Sequence, residues 1–180
     1  MTVCLRPWCE DDAAALQTAA ATTLDLHHQV GGADLATTSA CLDFIQRFLV
    51  PARADTHNFA LAVDGEAVGN IGLSNVERRH DTGWASYWVA ARHQRRGLAT
   101  QGLATLAHWA FHDLGLFRLE LGHRVNNPGS CTVATRAGFA AEGVERSKLR
   151  YGGERFDVEL HARLVVDPAP AVPLLPHHSS

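Results

Sequence analysis

The sequence predicts an α/β fold in which helices flank a mixed sheet. Strand-like and helix-like segments alternate along the chain, and two apolar runs joined by Asp64-Gly65 indicate a β-hairpin. Apolar residues make up 46% of the 180 residues and charged residues 19%, which is ordinary for a globular protein. We therefore expect a single domain over residues 1–167, followed by a disordered tail over residues 168–180, where four prolines occur without periodicity.

The first half of the chain is predicted to contain three strands and two helices. Alanine and leucine dominate the first helical segment, and acidic residues stand in its first turn, as the helix dipole prefers. Leu42, Ile45 and Leu49 form an apolar stripe on the second helix. In chain order, the segments are a strand at 3–6, a helix at 11–23, a loop at 26–32, a helix at 35–49 and hairpin strands at 58–63 and 67–73.

The second half is predicted to contain four strands and two helices. Its longer helix follows a strand at 84–89 and carries a core-facing apolar stripe that ends at Gly115. Phe117, Leu119 and Leu121 alternate with other residues, as a strand with one buried face requires. The remaining segments are a strand at 117–125, a short helix that opens at Asn127, and strands at 144–150 and 155–165.

The turn between the strand at 84–89 and the long helix has the features of an anion site. Gln94, Gly97 and Ala99 stand at positions 1, 4 and 6 of a Q/R-x-x-G-x-G/A pattern. Small residues let the backbone approach a ligand, and the first amides of a helix have no partner within it. The helix dipole adds about half a positive charge, so the turn is predicted to hold a pyrophosphate. The alternative is a solvated basic turn; its basic residues are Arg92, Arg95 and Arg96.

A second constellation follows the strand at 117–125. Asn127 has the chemistry of an N-cap, Pro128 fits the first helical position, and Gly138 fits the left-handed stop after the last turn. Ser130 falls in the first turn of this short helix.

Together these segments resemble the GCN5-related N-acetyltransferase (GNAT) family, whose members use acetyl-CoA as donor. The resemblance covers about residues 3–165, and within the family it is greatest to the branch that acetylates the N-termini of ribosomal proteins. It implies a GNAT-like fold, with a mostly antiparallel sheet and an acetyl-CoA cleft between splayed strands 4 and 5. The signatures are Leu5-Arg6-Pro7, Tyr87-Trp88-Val89, Asn127-x-x-Ser130, Gly138-Phe139 and Glu142-Gly143.

The resemblance also implies which residues hold the donor and act on it. An amide near Val89 would polarise the acetyl carbonyl, while the Trp88 side chain is expected in the core. Ser130 is the candidate acid for the CoA thiolate, although a first-turn serine can also simply satisfy the backbone. The expected CoA-binding residues are Trp88, Val89, Gln94, Arg95, Arg96, Gly97, Leu98, Ala99, Thr100, Asn127 and Ser130.

The general base is not identifiable from the sequence. Glu120 and His123 are the candidates near the point where strands 4 and 5 should part, and each also has a structural interpretation. Further candidates, Glu77 and His80, precede the fourth strand. An α-amino group has a pKa of about 7.7–8.0, so it needs little help from a base. The family often has a glutamate where this chain has Gln101, which puts any contact of that carboxylate in doubt.

Composition excludes several partners. A net charge of −3 gives no general attraction to nucleic acid or membrane, and a cytoplasmic protein is expected because no segment is typical of a signal peptide or a membrane span. Related enzymes often form homodimers, and a homodimer is left open here. The spacing of the cysteines predicts reduced thiols and no structural metal. They are Cys4, Cys9, Cys41 and Cys131.

Three functional hypotheses follow. The first is an acetyl-CoA-dependent N-acetyltransferase that acts by direct attack of a primary amine, most of all the α-amine of a protein N-terminus. The second is an acetyltransferase for a small-molecule amine such as an aminoglycoside, a polyamine or an amino acid. The third is a non-catalytic acyl-CoA sensor, since a fold does not dictate a function.

Overall fold

A seven-stranded sheet forms the centre of the computed structural model, which describes residues 1–50 and 53–178. The strand order is β1-β2-β3-β4-β5-β7-β6, and every neighbouring pair is antiparallel except β4 and β5. The predicted α/β fold with a mixed, mostly antiparallel sheet is thereby confirmed. The strands are β1 (Val3–Pro7), β2 (His57–Val63), β3 (Glu66–Glu77), β4 (Thr82–Val89), β5 (Arg118–Arg124), β6 (Ala140–Tyr151) and β7 (Glu154–Leu164).

Five α-helices flank the sheet in the described part of the chain. They are α1 (Ala13–Thr22), α2 (Leu26–Gln29), α3 (Thr38–Phe44), α4 (Leu98–His112) and α5 (Pro128–Arg136). Short 3₁₀ turns precede α1 and follow β4, and a π-helical turn, Ile45–Leu49, extends α3. Within residues 1–50 and 53–178, every helix is too short or too polar to cross a membrane.

The region between α1 and β2 differs from the prediction in two places. The second helix begins at Thr38 rather than at residue 35, because Thr37 is extended and its Oγ1 accepts a hydrogen bond from Ala40 N at 3.1 Å. The segment at 26–32 was expected to be a loop, but its first four residues form the single helical turn α2. Turns this short carry little periodicity, so the sequence pattern does not reveal them.

The parallel pair β4–β5 opens after three residues. Its register runs from Thr82 opposite Arg118 to Trp84 opposite Glu120, and beyond these residues the two strands are not paired. The far edge of β5 stays fully paired with β7 from Arg118 to Arg124. The two strands therefore diverge toward their C-terminal ends, as the predicted cleft between strands 4 and 5 requires.

Helix α4 packs its apolar stripe on the sheet. Leu103, Leu106, Ala107 and Ala110 are each at most 1% exposed, as the helical spacing predicts. The approach is close because Gly102 lies against Ile71 of β3, where an added Cβ would come within 2.7 Å of that side chain. The packing of α4 on β3 and β4 fixes the start of the helix at the open end of the cleft.

The structure corrects the expectation of a disordered tail for residues 168–178. Backbone hydrogen bonds join Leu5 N to Pro176 O at 2.9 Å and His178 N to Leu5 O at 3.0 Å. Leu175 N also donates to Thr105 Oγ1 of α4 at 2.9 Å. β1 is an edge strand, so the tail satisfies backbone groups that would otherwise face solvent. Residues 179–180 lie outside the described part of the chain.

A bidentate ion pair joins β1 to the start of the first helical region. Arg6 donates to both carboxylate oxygens of Asp12 at 2.8 and 2.7 Å, and Cys9 N donates to the same carboxylate at 3.0 Å. Burial is the largest single effect and would raise the pKa of Asp12, but the hydrogen bonds from Arg6 and Cys9 and the charge of Arg6 together outweigh it and hold the pKa below its usual range. The ionised pair therefore stabilises the fold above about pH 4.

Asp12→Asn is expected to lower the free energy of unfolding by about 1.5–3 kcal/mol at pH 7, because Arg6 loses its charged partner. The folded-state pKa of Asp12 is depressed, so this contribution disappears as the pH falls through it, and the difference between wild type and variant should shrink below about pH 4. Urea unfolding from pH 7 to pH 3 measures this. Asp11→Asn, at the exposed neighbouring residue, is the matched control. An equal loss in both variants would contradict the role of the pair.

Candidate active site

A cavity of about 1260 Å³ occupies the opening between β4 and β5. Its walls come from the ends of both strands, from the turn before α4, from the first turn of α5 and from the segment after α1. Pockets for one small ligand measure roughly 300–1,000 Å³, so this cavity has room for a large ligand and a second reactant.

The end of β4 presents to this cavity a peptide edge that no neighbouring strand pairs. The Trp88 carbonyl turns toward β3, where it lies against Gly69 closely enough to exclude any side chain there. Ala90 N also turns toward β3 and donates to Val68 O at 2.8 Å. A trans peptide points its N–H and C=O in opposite directions, so the N–H and C=O of Val89 both point away from β3, toward the opening. Gln94 Nε2 donates to that Val89 carbonyl at 2.9 Å.

The turn before α4 leaves the first amides of the helix free. Gly97 is the N-cap in a left-handed conformation with φ +77°, and no side chain in the described chain caps this helix start. An added Cβ at Gly97 would meet no atom within 4 Å, so a side chain would fit there without a clash. The glycine is needed because it adopts the left-handed backbone conformation without strain. The amides of residues 98–100 therefore open into the cavity with the positive end of the helix dipole.

The start of α5 forms the opposite wall. Asn127 Oδ1 accepts a hydrogen bond from Ser130 N at 3.1 Å, which confirms the predicted N-cap. The side-chain NH₂ of Asn127 remains available for a ligand, since an amide has an oxygen and a nitrogen to offer. Gly138, with φ +88°, takes the left-handed conformation expected after the last turn. Asn127 and Ser130 both line the cavity.

Tyr87 is a site residue that the sequence pattern did not predict. It lines the cavity, and its Oη donates to the Ser130 carbonyl at 3.1 Å. Burial raises the pKa of Tyr87 to about 12, so the phenol stays protonated at neutral pH. The residue stands in the Tyr87-Trp88-Val89 signature, which places it on β4, but only the structure brings its hydroxyl to α5.

The structure brings most expected donor-binding residues to one cavity. Residues 88, 89, 94, 95, 97–100, 127 and 130 all line it. The Trp88 ring is also packed in the core, with its centroid 6.2 Å from that of Trp8, as expected. Arg96 is not part of the cavity wall, and its guanidinium contacts His93 Nδ1 at 3.1 Å. Gln101 follows the turn inside α4 and is not part of the wall either.

The base candidates are placed less favourably. Glu120 lies outside the cavity wall, where its Oε1 accepts a hydrogen bond from Arg118 Nε at 2.6 Å. Glu77 and His80 lie at the far end of β4, next to Thr82, with Glu77 Oε2 accepting from His80 N at 3.0 Å. His123 lines the cavity, but both its ring nitrogens contact protein groups. Of these four candidates, only His123 is part of the cavity wall.

The charged residues of the cavity wall are mostly basic. The basic residues that line it are Arg95, Arg124 and Arg136. Among the described residues of the wall, the one carboxylate is that of Asp25, and it is paired with Arg124 at 2.6 Å. Tyr151, from the end of β6, extends the wall and stacks on His28 with ring centroids 3.8 Å apart. The wall therefore favours an anionic ligand over a polycation.

Comparison with known proteins supports the interpretation of this geometry. A family model described as an acetyltransferase (GNAT) domain matches residues 2–140 of the chain. The chain belongs to the GNAT acetyltransferase family. The GNAT elements that line the cavity, from β4 through the start of α5, fall inside the matched residues.

Among curated proteins, this GNAT chain is similar to the ribosomal-protein-serine acetyltransferase of Escherichia coli, with 32% identity over 107 residues. That match covers 59% of the chain and 60% of the relative, so the chain spans about three fifths of its length. Among solved structures, it is similar to Mycobacterium smegmatis RimJ in complex with CoA-disulfide. The identity is 29% and the TM-score 0.75, covering 91% of this chain and 82% of that one.

The same fold occurs in enzymes of other specificity. A spermidine N-acetyltransferase chimera from Vibrio cholerae and a second enzyme has a TM-score of 0.75 at 16% identity, covering 91% of this chain and 96% of that one. At this identity the likeness shows the fold alone.

Proposed function

We propose that this GNAT protein binds acetyl-CoA in the cavity and transfers the acetyl group to a primary amine, above all the α-amine of a protein N-terminus. The observation that carries the proposal is the peptide edge of Val89, which faces the opening between β4 and β5 beside the uncapped start of α4. One wall thus offers an anion site and, a few residues away, a hydrogen-bond donor for a carbonyl oxygen.

These groups position the donor, acetyl-CoA. The pyrophosphate lies on the amides of residues 98–100, with Arg95 beside it, and the pantetheine arm runs along the open edge of β4. Asn127 contributes its NH₂ group from the other wall. The acetyl oxygen then accepts a hydrogen bond from Val89 N–H, which becomes stronger as negative charge develops on that oxygen.

Transfer requires one bond to form and one to break. A neutral amine attacks the acetyl carbon, the C–N bond forms, and the C–S bond breaks with the electron pair leaving on sulfur. The Ser130 hydroxyl donates its proton to that thiolate, and the proton released by the amine returns to Ser130 through water. No step needs a metal.

An N-terminal α-amine fits the cavity wall better than a polyamine does. The basic wall and the Asp25–Arg124 pair leave no free carboxylate there, among the described residues, to bind a polycation. An α-amine also loses its proton at a pKa of about 7.7–8.0, whereas a lysine at about 10.4 needs a base. Of the carboxylate and histidine candidates considered from the sequence, only His123 lines the wall, and both its ring nitrogens contact protein groups, which supports the α-amine. The curated relative is named for a ribosomal-protein acceptor.

A thiol-release assay with matched acceptors tests this proposal. One peptide carries a free α-amine and no lysine, and its partner has a blocked N-terminus and one lysine. We expect kcat/KM to be at least about 10-fold higher for the free α-amine, from the pKa difference alone. Faster release with spermidine or an aminoglycoside would instead establish the small-molecule alternative. Acetyl-CoA binding without release on any acceptor would favour the sensor.

A further inference from the structure

Four metal-binding side chains converge between the sheet and α5. His123 on β5 stands opposite Glu159 on β7 in the strand register, and His161 follows two residues along the same face. Cys131, in the first turn of α5, reaches this group from the helix side. One ligand atom from each residue lies within 4.8 Å of all the others.

Three of these atoms form a nearly equilateral triangle. His123 Nε2 lies 3.1 Å from His161 Nε2, and Glu159 Oε2 lies 3.3 Å and 3.0 Å from the two nitrogens. The two imidazoles are buried, with side chains 5% and 1% exposed, and Glu159 is 28% exposed. Water therefore has little access to the two nitrogens.

The Nδ1 proton of each imidazole points away from this triangle, toward a backbone carbonyl. His123 Nδ1 lies 3.0 Å from the Arg124 carbonyl, and His161 Nδ1 lies 3.1 Å from the Phe139 carbonyl. A carbonyl only accepts, so each Nδ1 carries a proton, and with one proton on each ring both Nε2 atoms turn a lone pair toward the triangle. Two lone pairs and a carboxylate at this distance require a cation between them, either a shared proton or a metal ion.

We propose that His123, Cys131, Glu159 and His161 bind a zinc ion. Tetrahedral zinc, with ligands at about 2.0–2.1 Å, separates its nitrogen and oxygen ligands by about 3.3 Å, close to the observed triangle. The thiolate of Cys131 supplies the fourth position from the helix. Donation of the second ring N–H to a backbone carbonyl is the usual arrangement for a zinc-bound histidine, and both histidines have it.

The ion would connect β5, β7 and α5 behind the cavity wall. Of the four proposed ligands, all of which are described residues, only His123 is part of that wall. Such a site is structural and adds no step to the transfer. The inference is also independent of the proposed function, because metal binding can be measured without any activity.

Zinc titration of the reduced, tag-free, chelator-treated protein against a chromophoric chelator tests the inference. We expect one tightly bound ion per chain. Cys131→Ser and Glu159→Gln are each expected to weaken binding at least about 10-fold, because loss of even a hydrogen-bond partner of a metal ligand typically costs about 10- to 100-fold. With cobalt, the wild type should show a thiolate-to-metal charge-transfer band that Cys131→Ser loses while the tetrahedral ligand-field bands remain.

The exposed pair His108 and His112, one turn apart on α4, provides the matched control, since it can bind a metal independently. The double variant His108→Gln, His112→Gln should retain the tight site. Loss of tight binding in this double variant, or unchanged affinity in both Cys131→Ser and Glu159→Gln, would overturn the inference. Failure of the reduced wild type to bind zinc would also overturn the inference. The two imidazole nitrogens and the Glu159 carboxylate would then be held together by shared protons. Circular dichroism verifies that each variant is folded.

Discussion

Gly97→Glu is expected to weaken acetyl-CoA binding by about 100-fold or more. The substitution puts a carboxylate among the amides that hold the pyrophosphate, and placing like charges together costs several kcal/mol, where about 2.7 kcal/mol is already 100-fold. Gly97 also has φ +77°, a conformation that a residue with a Cβ adopts only with strain. Isothermal titration with acetyl-CoA measures the loss.

Gly65→Glu is the matched control for this result. Gly65 lies in the β2–β3 turn with φ +90°, and an added Cβ there also meets nothing within 4 Å, so strain and charge are alike but Gly65 is not part of the cavity wall. We expect this control to bind acetyl-CoA as the wild type does. A folded Gly97→Glu protein with unchanged affinity would show that the donor site is elsewhere.

Ser130→Ala is expected to lower kcat by about 100-fold, the lower range for loss of a general acid, while the dissociation constant of acetyl-CoA stays unchanged. The thiolate then leaves without a proton from the enzyme. The helix cap is retained, because Asn127 Oδ1 accepts from the backbone N–H of residue 130 and not from its side chain. Steady-state kinetics and titration of the same sample separate the two effects.

Ser130→Thr and Tyr87→Phe are the controls for the acid. Threonine keeps a hydroxyl and should restore much of the turnover. Tyr87→Phe removes the hydroxyl that donates to the Ser130 carbonyl but keeps the ring in the wall. Unchanged turnover in Ser130→Ala would reduce the serine to a backbone role, and a loss confined to Tyr87→Phe would identify the phenol as the acid.

The donor half of the site could be predicted because its chemistry is local in sequence. The turn at Gly97 and the cap at Asn127 each lie within a few residues of the helix that they open, so short patterns identify them. Local patterns also place the strands well, because alternation and a hairpin turn determine them. The position of Val89 at an open edge came from the family resemblance, and it depends on the early end of the β4–β5 pairing.

What the sequence did not predict depends on contacts between distant segments. Glu120 was a reasonable candidate on β5, but it lies outside the cavity wall and pairs with Arg118, which also donates to Glu142 of the distant strand β6. The tail was expected to be disordered because its four prolines occur without periodicity, yet it pairs with the edge of β1.

The proposed zinc site illustrates the same limit. Its ligands come from β5, α5 and β7, and His123 is 38 residues from His161, so no spacing motif exists. The spacing of the cysteines therefore predicted no structural metal. Only the register of β5 against β7 brings the histidines together.

Isothermal titration of the wild-type protein with acetyl-CoA tests the central proposal most directly. If the opening between β4 and β5 is a donor site, one molecule should bind per chain with a dissociation constant of roughly 1 μM to 1 mM, the range usual for enzyme substrates. CoA should compete for the same site. No saturable binding in this range would contradict the assignment of the cavity, and with it the proposed transfer.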